Sequence, residues 1–566
     1  MAQYFSPGVY IEEYDNSSRT IEGVGTSIAG FVGLAEKGQT VGTPVFITSY
    51  REFTKQFGKS LSEFEYGEYR YLASSVEQFF ANGGSLCYVS RVIPPDAVKA
   101  AATKGILKVE AANEGKWGNK VQITLNTVTK KKMQIVGKNA NFYVAKSVDG
   151  FREGDLVVVG DEYNRISTIY DNTVAFENEF KTDIVDTSIV PETVVYLVET
   201  DISVRYADEA ENYTGVSFNM SNPNYIAYRL ANSELIKVEV AALNKVSNPV
   251  EAILGSDNTS GMFMLEGGKD GSISKVTAGT FIGEDNGPGK RTGITAFEEI
   301  NNVSMIAVPG VTIPEVIVAL VNQCELQKNR FAVLDMPKDL YKVKDLLEYR
   351  QMIDSTYAAM YHPWVQVFDR VSNKPEFIPP SGVMMGVYAR TDATRGVHKA
   401  PANEVVFSTG LNVNYTKAEQ DILNPAGVNL IRTIPGQGIR VWGARTTSSN
   451  SNFKYVNVRR LFIFVEESIK ANTNWVVFEP NDANLWTRVQ MTISNFLETL
   501  WRNGMLAGAS ASEAFFVEIG PSTMSRDDIM NGRLVCNIGI APSRPAEFVV
   551  FRVTQHTSEA GGASAE

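Results

Sequence analysis

Apolar residues recur at helical spacing in several separate stretches, and between them the period shortens to that of strands. Tyr69, Leu72, Ala73, Val76, Phe79 and Phe80 share one face of a helix predicted over 66–80, which stops at Asn82-Gly83-Gly84. Strand-like runs flank it at Ser27–Leu34, 45–49 and Leu86–Val92, and this β-α-β order predicts an α/β layer. The pattern returns beyond about residue 210. Val303–Val308 and Arg330–Asp335 read as strands around an amphipathic helix at Ile313–Leu326, a compact unit that makes part of the sheet parallel. Asp339–Ile353 is predicted as a further helix. Thr295 with Glu298, and Thr312 with Glu315, have the spacing of capping boxes. The clearest helix runs from Leu485 to Trp501, opened by Pro480-Asn481-Asp482 and closed by Asn503-Gly504.

From about 119 to 200 the chain carries short runs of Val, Ile and Thr separated by turn signals such as Gly154-Asp155 and Asp171-Asn172. Strands at that spacing predict a small all-β barrel or sandwich, inserted into the α/β pattern. Two short apolar runs have no partner nearby in sequence. Val9-Tyr10-Ile11 lies in an extended arm over residues 1–20, and Phe548 to Val553 forms a last strand whose apolar residues do not alternate. An arm so short must pack on its own core or on another subunit. The small, polar tail after it reads as disordered.

One stretch combines all these signals. Ile439–Trp442 reads as a strand, a polar loop follows, and Val458, Leu461, Phe462, Val465 and Ile469 mark one helix face. Arg459 and Glu466 are seven residues apart, as are Arg460 and Glu467, so each pair lies on one side of that helix. Spacing alone predicts a half-buried helix with a solvated charged side.

Composition narrows the function. A net charge of −11 argues against a nucleic-acid binder or docking on anionic lipid. Cys87, Cys324 and Cys536 are too few and too scattered for a disulfide framework or a cysteine zinc site, and each sits in an apolar context, which predicts folding in a reducing cytoplasm. The N-terminal MAQYFSPGVY does not read as a secretory signal, and no apolar run is long enough for a membrane span. Three histidines, His362, His398 and His556, limit metal sites and histidine-based catalysis.

The candidate chemical motifs are weak. Gly267-Gly268-Lys269-Asp270-Gly271 and Gly283–Gly289 lack the phosphate-loop pattern and read as turns. No G-x-S-x-G elbow marks a nucleophile. Adjacent acidic pairs such as Glu298-Glu299 and Asp527-Asp528 point apart on either kind of element. No cofactor or metal is expected, and a large, aromatic, asparagine-rich chain without a chemical site reads as one built for contacts.

A further set of motifs is more specific. They are PGVYIEE at 7–13, ENYTGVSFNMSNPNYI at 211–226, LEGGKDG at 265–271, VPGVT at 308–312 and LDMP at 334–337. The C-terminal third adds PPSGVMMGVYARTDATRGVHKAPAN at 379–403, LNPAGVNLIR at 423–432, WVVFEPNDANLW at 475–486 and IAPSRPAEFVVFRV at 540–553. Together these resemble the motifs of contractile tail sheath proteins, the family that includes phage tail sheaths and the sheaths of R-type bacteriocins and extracellular contractile injection systems. The resemblance spans the chain except for about 120–205. His398 stands where the typical motif has an aromatic residue before Lys-Ala-Pro.

The resemblance implies a mixed α/β and α+β fold: a subtilisin-like three-layer α/β core, a C-terminal α+β core domain and a β-rich insertion. The expected parts are a linking arm at 1–20, the first part of the core at 21–100, an outward-facing insertion at 101–210, the α/β domain at 211–370, a tube-facing core at 371–545 and a linking strand with tail at 546–566. It implies a structural subunit and no enzyme. The partners would be the chain itself, in a helical homo-oligomer of stacked hexameric rings, together with an inner tail tube protein and baseplate and tail terminator proteins, with neither nucleic acid nor membrane. The subunit would be made in a bacterial cytoplasm and work in a virion tail or an extracellular contractile particle. The strands at Val9, Tyr10 and Ile11 and at Phe548, Val549, Val550, Phe551 and Val553 would join neighbouring subunits. Arg459, Arg460, Glu466 and Glu467 become candidate intersubunit charges. Arg526, Asp527 and Asp528, at a helix start, become a candidate tube contact. The main alternative is the sheath of an injection system or bacteriocin instead of a phage, and a remote one is a hydrolase built on the subtilisin-like layer.

Overall fold

The computed structural model describes residues 20–181, 184, 193–241, 249–255, 260–369 and 373–550. Its centre is one eight-stranded sheet. In chain order its elements are β1 (Ala29–Leu34), β2 (Val45–Ile47), helix α1 (Leu72–Ala81), β3 (Cys87–Val92), β4 (Met305–Ala307), helix α2 (Pro314–Gln327), β5 (Phe331–Asp335), helix α3 (Val343–Arg350), β6 (Ala358–His362), helix α4 (Pro380–Arg395), β7 (Val428–Ile434) and β8 (Gly438–Val441). The strand order is β2-β3-β1-β4-β5-β6-β7-β8, parallel from β3 to β7 with an antiparallel strand at each edge.

The inner strands are apolar on both faces because helices cover both. Phe31, Ala307, Phe331 and Val333 pack with Val76 and Phe79 of α1 and with Val383, Met384 and Val387 of α4. Val32, Ile306, Ala332 and Leu334 pack on the other side with Val316, Ile317, Leu320 and Val321 of α2 and Leu346 of α3. A parallel sheet needs this double cover, and three layers result. Helices α1 and α4 approach backbone to backbone: a Cβ on Gly382 would come 2.4 Å from Ser75 O, and one on Gly386 would come 2.6 Å from Phe79 O.

The insertion extends further than its strand-like composition indicated. It leaves the core after β3, and antiparallel bridges Val98↔Lys269 and Ala101↔Glu266 close its neck. Strands 209–216, 236–240 and 260–264 belong to it, since they hydrogen-bond to 199–206, 107–111 and 122–128. The expected boundary at 210 is therefore corrected to about 269. The boundary at 370 is corrected too, because α4, β7 and β8 complete the central sheet. Within the insertion a second unit is nested between strands 122–128 and 199–206: a closed six-stranded barrel formed by 132–139, 142–145, 156–159, 162–170, 173–176 and 193–197. Met133, Ile135, Val157, Ile166, Val174 and Val195 fill it.

The C-terminal unit consists of helices α5 (Val456–Asn472) and α6 (Ala483–Arg502) and a hairpin of β9 (Phe515–Ile519) with β10 (Cys536–Ile540). Asp482 caps α6 by accepting from Leu485 N at 2.9 Å, and Leu485, Val489, Ile493, Phe496 and Leu500 bury its apolar face. The two capping boxes read near 295 and 312 do not form. Residues 295–299 are a 3-10 turn, and α2 starts on Pro314, whose fixed φ and missing N–H suit a first helical position. No described helix is long and apolar enough to cross a membrane.

Candidate intersubunit surfaces

Helix α5 is buried on most sides. Val456 and Ile463 join the core of the central sheet, while Leu461, Phe464 and Val465 join that of the C-terminal unit. Its arginines therefore do not form a solvated side, and the expectation for them is corrected. Arg460 is 4% exposed and makes a two-pronged ion pair with Asp392 of α4, at 2.9 and 2.6 Å. Arg459 lies 3.6 Å above the Phe453 ring and 4.5 Å from that of Tyr357. A buried guanidinium needs a carboxylate or aromatic faces around it, and both partners come from elsewhere in the sequence. Glu466 is exposed, and half-buried Glu467 pairs with Lys470 at 3.2 Å. Of the four charges, the two glutamates are those left toward solvent.

The same helix holds the start of the N-terminal arm. Ser468 Oγ accepts from Val24 N at 3.1 Å, Asn472 Nδ2 donates to Glu22 O at 3.0 Å, and Arg460 donates to Thr26 O at 2.8 Å. Thr26 Oγ1 in turn donates to Asp392 at 2.7 Å. Val9, Tyr10 and Ile11 lie outside the described residues.

The C-terminal segment is pinned by one carboxylate. Glu547 accepts from Arg445 Nε and NH2 at 2.8 and 2.7 Å, from Tyr455 OH at 2.8 Å and from Asn424 Nδ2 at 2.7 Å. Burial opposes its charge, but the bonds from Arg445, Asn424 and Tyr455 outweigh this and hold its pKa at about 2. Directly beyond it Phe548, Val549 and Val550 are 74%, 69% and 78% exposed and belong to no strand among the described residues. The described part of the strand expected there, 548–550, is not paired with any described strand, and Phe551 and Val553 lie outside the described residues. Sequence reasoning passed over Glu547, Arg445, Asp392 and Thr26. The one signal available was a lone glutamate ahead of the apolar run FVVF.

The β9–β10 hairpin stands apart from the other sheets. Gln490 Nε2 on α6 donates to Val517 O at 2.9 Å and fixes its place, yet among the described residues no third strand pairs with either outer edge. Phe516 and Ile538 are 53% and 36% exposed on it. In the loop between its strands, Ser525 and Asp528 form a capping box on the short helix Arg526–Met530, and Asp528 also faces Arg533 at 3.3 Å. Arg526 and Asp527 are exposed. Elsewhere, His362 is buried with Nε2 2.9 Å from Tyr415 OH, and Ser381 bonds the carboxylate of Asp335 at 2.7 Å. These contacts tie helix, strand and loop together.

Residues 287–447 match the family described as the phage tail sheath protein central domain, and residues 448–556 match the phage tail sheath C-terminal domain. Residues 287–556 thus carry both domains of the phage tail sheath family. The chain is a structural sheath subunit. A prophage major tail sheath protein of Pseudomonas aeruginosa strain UCBPP-PA14 is 26% identical over 291 residues, 49% of this chain and 73% of that protein. The tail sheath protein of Escherichia phage P2 is 24% identical over 331 residues, covering 56% of this chain and 79% of its own. The contracted sheath of PVC, an extracellular contractile injection system, shares the fold with a TM-score of 0.53 at 22% identity, over 98% of this chain and 99% of that one. The two matched regions meet at residues 447 and 448, between the central sheet and α5, so the sheath subunit changes domain where its layers change.

Proposed function

We propose that this sheath subunit polymerises into stacked rings around an inner tube and that contraction of the array drives the tube through a target envelope. The observation that carries the reading is the pair of features left without a strand partner among the described residues, the β9–β10 hairpin and the exposed run Phe548–Val550. An exposed apolar run and an open strand edge are suited to strand addition between copies. Main-chain bonds in added strands survive while the bodies they link rotate, so one set of links serves both an extended and a contracted array. The energy is the difference between two packings of one fold, and the subunit itself catalyses no reaction.

The strands at 9–11 and 548–553 are assigned as links. Glu466 and Glu467 remain candidates for intersubunit pairs, and exposed Arg526 and Asp527 for the tube contact, with baseplate and terminator proteins at the two ends. Such exposed pairs contribute only about 0–1 kcal/mol each, which lets them break and re-form. Synthesis is assigned to a bacterial cytoplasm and action to a phage tail. Likeness to the PVC sheath along nearly its whole length favours a second reading, an injection particle. Neighbouring genes decide between them: capsid and terminase genes support the phage, while toxin cargo with an AAA-type ATPase and no capsid supports the particle.

Negative-stain microscopy of the purified chain tests the main reading. Hollow, ridged tubules are expected, and deletion of residues 1–14 or 546–566 is expected to abolish them. Tubules that persist without both segments would rule out the linking role. A peptidase and esterase screen is expected to show no activity that a single serine substitution removes.

A further inference from the structure

The two links are assigned to opposite ends of the chain, yet the roots of both touch helix α5 or the residue that opens it. The N-terminal root runs antiparallel to α5, with Glu22 O on Asn472, Val24 N on Ser468 and Thr26 O on Arg460. Close packing backs these bonds: a Cβ on Gly23 would come 2.8 Å from the Phe464 ring, and Ile21 and Val24 sit on the apolar cluster of Leu461, Phe464 and Val465. The C-terminal root meets the other end of the helix. Asn457 Nδ2 donates to Ser543 O at 3.2 Å, and Tyr455, just before the first turn, bonds Glu547. Fifteen residues separate Asn457 from Asn472, about 22 Å of helix. Along that length α5 is wedged into both cores and fixed to α4 by the Arg460–Asp392 pair.

We propose that helix α5 is a rigid strut that couples the roots of the two linking arms, with Glu547 and Asn472 as the positioning residues at its ends. This inference rests on the arm-exchange reading. A subunit in such an array is moved by one neighbour through one arm and must move the next through the other. If each root could yield independently, the displacement would be absorbed within the subunit. Roots held to one helix pass it on undiminished.

The test is a pulsed electron paramagnetic resonance distance in the full-length chain. Spin labels are placed through Glu22→Cys and Phe548→Cys, both at exposed positions, with Cys536 replaced by serine. The strut predicts one narrow distance, the same in free subunits and in assembled tubules. Glu547→Gln is expected to remove the narrow peak in favour of a broad distribution while circular dichroism stays unchanged. Asn472→Ala provides the same comparison at the exposed end of the helix, should the first variant fail to fold. A broad distance in the parent protein, a distance that changes on assembly, or a narrow peak kept by both variants overturns the strut. Truncation of residues 546–566 separates the two ideas. Tubules formed without that segment remove the arm-exchange reading whatever the distance, while lost tubules together with a broad parent distance remove the strut alone.

Discussion

At the scale of single residues, burial decides what a charge can do. Arg460 and Asp392 are each 3% exposed at the side chain, so removing one strands the other in a low-dielectric interior. Arg460→Glu places two carboxylates together and is expected to destabilise the subunit by about 3–5 kcal/mol, read as a lower denaturant midpoint. The same change at exposed Glu466, to Lys, is expected to leave that midpoint within about 0.5 kcal/mol of the parent. Glu547 makes a second prediction. Its folded pKa of about 2 lies below the ordinary value of 4.5, so its contribution is present above pH 4.5 and is lost as the pH falls toward 2. Hydrogen exchange at residues 543–550 is expected to accelerate in that window, and Glu547→Gln to give the fast rate at neutral pH. Neither pairing could be read from local sequence. Seven-residue spacing found the arginines on one helix, but Asp392 is 68 positions from Arg460 and Glu547 is 102 from Arg445.

At the scale of elements, periodicity read well where a helix has one apolar face. α6 was legible from its Trp486, Val489, Ile493 and Phe496 pattern and its Asp482 cap. α5 was legible as a helix but not as a buried one, because its polar residues find partners inside the fold. The run at 548–550 was read as a strand on its residues alone, yet a strand needs a partner, and within one subunit none is present among the described residues. The glycines of α4 show another limit. Gly382 and Gly386 look like poor helix formers, but their missing side chains let α1 come into backbone contact. Gly386→Val is expected to force the helices apart and lower stability by about 1–3 kcal/mol in thermal unfolding, despite its better helix propensity.

At the scale of the whole molecule, the central α/β layers were legible as a β-α-β rhythm, and the barrel as a change of period between 119 and 200. The extent of the insertion was not, since strands at 236–240 and 260–264 pair with partners more than 100 residues earlier, across a nested barrel, and 209–216 is tied in through its hairpin with 199–206. The nested barrel joins its host through 129–131 and 198, at the ends of two paired strands, and through polar contacts in which Asp155 accepts from Asn219 and Asn222, while among the described residues no strand of the barrel pairs with the host's sheets. Replacing 130–197 by a short turn is therefore expected to leave both the central sheet and assembly intact, checked by circular dichroism and by tubule formation. The linking role depends above all on what the β9–β10 hairpin does in the array. Cryo-electron microscopy of tubules assembled from the full-length chain measures it directly. The prediction is that a strand from another subunit, built from residues 548–553 or 9–11, pairs with an outer edge of that hairpin. A reconstruction in which both edges remain bare, with subunits held by side-chain contacts alone, would contradict it.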